Sequence, residues 1–193
     1  MTRFVDRGAV VAGWIGLGTA VVLVIAFALV VPIQPIVYVA ALPAGLLIGW
    51  YANAKSERFR PRGRAIANAL WAGLLTGLTL SIFYVSVRLL FIYADTGYPD
   101  FNIQETPTQT ASPTCATGPE CTYMRYVKEG KGPEFEAAGI TNGDDFAQFV
   151  LNEALGASVI LFGLTLGGAA IAGAWQAIRP VPAPVVQAEA SST

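Results

Sequence analysis

Chemistry in this chain would have to come from a short list of side chains. There is no histidine among its 193 residues. That removes the usual ligand of haem, copper and zinc, and the one side chain that titrates near neutrality unassisted. No serine or threonine has an imidazole base to activate it. No glycine-rich phosphate loop follows a strand, and no carboxylate pair shows catalytic spacing. The expectation is a chain with no catalytic residue, no metal site and no bound cofactor, hence not an enzyme.

Two cysteines and one intramembrane cation remain. Cys115 and Cys121 enclose Ala-Thr-Gly-Pro-Glu, and the Gly118-Pro119 turn can bring them together. In an exterior segment a disulfide is the default, contributing about 2–3 kcal/mol on the entropic account. Arg88 is the charge well inside an apolar run. It can snorkel to headgroups, pair with Glu153 or Asp95, or hold a lipid or substrate anion. At helical spacing Tyr84, Ser81, Gly77 and Gly73 share its face. Glu153 stands at matching height on the next apolar run.

Composition decides what must hold these groups. Charged residues are 13% and hydrophobic residues 54% of the chain, against the ~25% charged of a soluble domain. Several runs approach or exceed the ~20 apolar residues that cross a ~30 Å hydrocarbon core. The fold class expected is an all-α integral membrane protein with four transmembrane helices. The spans are placed at about 8–31, 36–51, 66–93 and 155–178, so residues 1–178 form the transmembrane domain. Ala26-Phe-Ala28 has the small-x-small form of a signal-peptide cleavage site. The apolar run before it is too long for a signal, so the first span is expected to stay. Pro32-Ile-Gln-Pro35 turns the chain back, and Pro43 should bend the second span.

Between the second and third spans lies a basic hinge. Lys55, Arg58, Arg60, Arg62 and Arg64 face Glu57 alone. By the positive-inside rule this segment is cytoplasmic, and it should also attract anionic lipid headgroups. Pro61 and Gly63 are expected to keep it from becoming helix. Both termini then lie inside, and 94–152 is an exterior loop of ~59 residues. There Arg125, Lys128 and Lys131 are outnumbered by carboxylates from Asp95 to Asp145. Residues 104–122 read as irregular surface chain. Tyr123-Met-Arg-Tyr-Val127 alternates as an edge strand would, and Tyr123, Tyr126, Phe135, Phe146 and Phe149 could form a small lid. Thr141-Asn-Gly-Asp144 fits a capping box opening one helix from about Asn142 to Ile178. The proline-rich tail 179–193 is expected to be extended or disordered.

Small residues recur at four-residue spacing in every span. Gly16, Gly45 and Gly49, Gly73 and Gly77, and Gly163 and Gly167 mark helix-packing stripes, because helices in lipid associate by close backbone approach. Four seams exceed what one compact bundle uses. The functional expectation is a non-catalytic accessory or scaffolding subunit of a larger bacterial plasma-membrane assembly. Its partners would be membrane lipids and other membrane subunits, with a homo-oligomer possible and no nucleic acid. The alternative is a small homo-oligomeric transporter or channel with Arg88 near its outer mouth. The absence of a buried acid within a span weighs against a coupled carrier.

Overall fold

A computed structural model describes residues 4–30, 34–56, 61–94 and 117–179. Among them the chain is all-helical, with four helices long and apolar enough to cross a membrane. Helix α1 spans Arg7–Val24 and widens into i→i+5 turns over Ile25–Val30. Helix α2, Gln34–Ala54, is longer than the 36–51 expected and contains Pro43 within one continuous element. In lipid a helix tolerates proline because neighbouring groups take up the freed carbonyl. Helix α3 is Arg62–Tyr93, so it begins inside the basic segment rather than at 66. Pro61 takes the extended N-cap conformation, with φ −65° and ψ 148°. A proline there starts a helix instead of blocking one, and Gly63 falls in the first turn, where N–H groups have no intrahelical partner. The turn at 31–33, Arg58, Arg60, Asp95, Cys115 and the tail from Pro180 lie outside the described residues.

The cap above the bundle is helical too. Helix α4, Pro119–Tyr126, opens after Gly118, whose φ of 130° needs a glycine. It occupies the stretch expected to be a strand. Tyr123 and Tyr126 are three residues apart, which is one turn of helix, and both reach the same cluster of rings. A kink at Gly130 leads to α5, Gly132–Ala137. That helix ends in a six-to-one closure, with Ile140 N–H donating to the Phe135 carbonyl at 2.8 Å. Gly139 at φ 76° makes the turn, and Ile140 is buried in the cluster packed by Phe135. This is how a helix satisfies its last carbonyls and seats a hydrophobic residue beneath itself.

Helix α6, Gly143–Ile178, is one rod of 36 residues, roughly 54 Å at 1.5 Å per residue. The expected continuous helix is present, but its cap sits one residue later than the Thr141 box. Asn142 is the N-cap and its side-chain oxygen accepts the Asp145 N–H at 2.9 Å. Asp145 in turn accepts from the Thr141 hydroxyl and the Asn142 amide, both at 2.9 Å.

Helices α2 and α3 each pack against both α1 and α6, and also against one another. The bundle is therefore a rhombus with α2–α3 on its short diagonal and α1 and α6 at the far corners. Neighbours α1/α3 and α2/α6 run parallel, whereas α1/α2 and α3/α6 run antiparallel. The outward faces stay apolar, with Trp14, Val22, Val39, Leu47, Ile82 and Val159 all strongly exposed. Such a surface suits lipid, not water.

Candidate functional site

Among the described residues the densest buried polar chemistry lies at the hinge end, where the start of α1, the end of α2 and the start of α3 converge. Asp6 holds the N-cap position of α1, yet its carboxylate makes no capping bond to its own helix. It accepts instead from the Asn68 amide at 2.8 Å, while Asn68 Oδ1 accepts the Asp6 backbone N–H at 2.9 Å. Asn68 also donates to the Ser56 hydroxyl at 3.2 Å, and Ser56 donates to the Ala52 carbonyl at 2.6 Å. Arg64 Nη1 closes the group at 3.6 Å from the other Asp6 oxygen. Asn68 is fully buried and Asp6 nearly so, which strengthens each bond and makes an unmet group costly. One turn deeper, Asn53 donates to the Gly49 and Ala65 carbonyls at 3.3 and 2.9 Å, tying α2 to α3. Its Oδ1 has no partner among the described residues.

Sequence reasoning placed Arg64 with the lipid-facing hinge, but the structure turns it inward as the counter-ion of Asp6. Asp6, Asn53, Ser56 and Asn68 were not singled out at all. Asp6 and Asn68 are 62 residues apart, so no local pattern joins them. The available signal was the oddity of Asn53 and Asn68 near the ends of apolar runs, where an amide needs partners.

At the cap end Arg88 meets one of its expected partners. Its Nη2 lies 2.8 Å from Glu153 Oε2, joining α3 to α6. The Glu153 side chain is 53% exposed, so the pair is half open. Arg88 Nε is buried without an acceptor among the described residues. Tyr84, one turn below, is buried with its ring edge-on to Tyr38 of α2. Ser81 of the same face donates to the Ser158 carbonyl of α6 at 2.9 Å.

Above this pair, α4 lies across two helix termini. Thr122 Oγ1 donates to the Ile92 carbonyl at 3.2 Å, meeting a free acceptor at the end of α3. Glu120 accepts the Gly143 N–H at 2.6 Å, meeting a free donor at the start of α6. Helix ends carry four such groups each, and a carboxylate at an N-terminus also suits the dipole. Cys121 sits between these two residues, buried and not a free thiol. The expected lid forms from Tyr123, Tyr126, Phe135 and Phe146, with ring centroids 5.4 to 6.2 Å apart. Phe149 is left largely exposed outside it.

The small-residue stripes separate into two sets. A Cβ on Gly45 would strike the Thr165 backbone, one on Gly49 or Gly73 would strike Ala169, and one on Gly77 would press on Phe162. Gly16 likewise faces Thr76 and Ile48. These five glycines are used inside the bundle. On α6 the seam residues are Gly168, against the backbone of Leu42 and Leu46, and Gly173, against Ala69 and Ile66, whereas Gly156, Gly163 and Gly167 meet nothing within 4 Å among the described residues.

Among the described residues no group of three His, Cys, Asp or Glu side chains could hold a metal. Comparison of the chain with family models, curated proteins and solved structures gives no match.

Proposed function

We propose that the chain is a non-catalytic accessory or scaffolding subunit of a larger membrane assembly, in a bacterial plasma membrane. In this reading both termini and the basic hinge are cytoplasmic. The cap, stapled by Cys115–Cys121, faces the exterior. The observation that carries the reading is the division of the glycines. Gly16, Gly45, Gly49, Gly73, Gly77, Gly168 and Gly173 close the bundle, while Gly156, Gly163 and Gly167 leave α6 with a smooth outward strip and no neighbour among the described residues. In lipid such a strip admits another helix at short range.

The test is purification from native membranes in mild detergent, followed by Gly163→Ile with Gly167→Ile. A partner in fixed ratio should accompany the unaltered chain and be lost from the variant, whose helicity and monomer stability stay unchanged. A partner-free monomer overturns the proposal. A stable homo-oligomer that conducts solute in vesicles, with flux lost in Arg88→Ala, would replace it with the pore reading.

A further inference from the structure

More positive charge stands at the hinge end than the Asp6 group uses. Arg64 is neutralised by Asp6. Lys55, Arg62 and Arg179 are exposed and make no ion pair among the described residues. Helix register puts these three in one layer. Helices α2 and α6 run parallel with Gly45 against Thr165 and Gly49 against Ala169, which sets Lys55 level with Trp175. Helices α3 and α6 run antiparallel with Gly73 against Ala169 and Gly173 against Ala69, which sets Arg62 level with Arg179. Three mutually packed helices thus end together on three cations.

Aromatic side chains gather toward the same end of the bundle. All four tryptophans of the chain are Trp14, Trp50, Trp71 and Trp175. Each lies within about nine residues of the hinge-end terminus of its helix, roughly 14 Å along the axis. Each is more than a third exposed on the lipid-facing surface. Two of the cations lie back over rings, Lys55 Nζ at 5.9 Å from the Tyr51 centroid and Arg179 Cζ at 5.6 Å from that of Trp175. A cation so placed is held near the boundary where headgroup meets acyl chain, rather than extended into water.

We propose that Lys55, Arg62 and Arg179, flanked by Tyr51 and Trp175, form a binding site for the headgroup of an anionic phospholipid. Complementary charge supplies the attraction, and the rings fix the depth. A free phosphate could use the cations but would leave exposed rings at the acyl boundary without a role. Sequence reading spread headgroup contact over the whole hinge. The structure removes Arg64 from that set and adds Arg179 from the far end of the chain. The site does not depend on the subunit role proposed above.

The full chain in nanodiscs of phosphatidylcholine with a minor fraction of phosphatidylglycerol provides the test. Quenching of tryptophan fluorescence by brominated acyl chains on one lipid or the other reads the relative affinity. The anionic lipid should be preferred by about a hundredfold, and each cation removed should lower that preference by about fivefold. Lys55→Gln with Arg62→Gln and Arg179→Gln should abolish it, and the charge-conserving set Lys55→Arg, Arg62→Lys and Arg179→Lys should keep it. A charge-matched control in the cap, Arg125→Gln with Lys128→Gln and Lys131→Gln, should leave it unchanged. If the triple variant lacks helicity by circular dichroism, Arg179→Gln alone, at the extended C-cap just past α6, reads the fivefold step. Equal quenching by both lipids, preference surviving in the glutamine variants, or equal loss in the cap control overturns the proposal. So does a fluorescence change on adding millimolar inorganic phosphate to the detergent-solubilised chain, which would assign the cations to a soluble anion.

Discussion

The two ends of the bundle are closed by different chemistry. At the hinge end the helices are joined by buried amides, one carboxylate and one guanidinium, within a layer of small residues such as Ala9, Ala12, Ala52 and Ala72. At the cap end a short helix bridges two helix termini, and four rings pack as in a soluble core. The contrast follows from the surroundings of each end. Close helix approach leaves room for hydrogen bonds and little else, so specificity at the hinge end comes from polar pairs that must all be met. In the proposed topology the cap stands clear of lipid on the long first turns of α6, where burying rings from water would stabilise it.

The contrast is sharpest at Asn68. Replacing it by Ala leaves the buried Asp6 Oδ2 and the Asp6 backbone N–H unmet, with Arg64 still on the other oxygen. Loss of about 3–5 kcal/mol is expected from unfolding in detergent, with α1 the first helix to gain hydrogen exchange. Phe135→Ala should remove about 2–3 kcal/mol from the cap, less than a fully buried ring. Exchange should rise over 119–140 while the four long helices keep their protection. An equal response across the whole chain would show that the ends are not independent. Gly45→Ala forces α2 from the Thr165 backbone and should cost about 1–3 kcal/mol. Gly163→Ala should be neutral or stabilising by up to about 1 kcal/mol, since nothing there resists a methyl group and alanine favours helix. The smallest effect is assigned to Glu153→Gln. Its pair with Arg88 is half open, so a change within about 1 kcal/mol is expected, and a larger loss would mean that the pair is drier than its exposure indicates.

The helices themselves were legible because apolar runs of this length leave few alternatives, and because prolines and charges punctuate them. The helical extension down to Asn142 and the rings of the lid could also be read, from a cap signal and from aromatic content. Local ambiguity caused the misreadings. Tyr123–Val127 fits either a short alternating strand or one turn of helix, and Pro61 serves equally as a breaker or as an N-cap. Asp6, Ser56, Asn53 and Asn68 were missed for another reason. Their meaning arises only when α1 is laid beside α3 and the end of α2, and no stretch of sequence contains that juxtaposition. The Arg88–Glu153 contact lies between these cases, since helical height could match the two residues but could not choose between Glu153 and the other fates of Arg88.

The rhombic arrangement has a consequence for biogenesis. Helix α6 leaves the ribosome after the other three, yet it fills the corner against which both α2 and α3 rest. Until it arrives, Gly45, Gly49, Gly73 and Gly77 line an unfilled trough in the nascent protein, and the loop carrying the cap has nothing to close upon. Insertion of this final rod therefore completes the core and seats the cap in a single late event, and a ribosome stalled before Gly143 would leave a three-helix intermediate open to chaperones and membrane proteases.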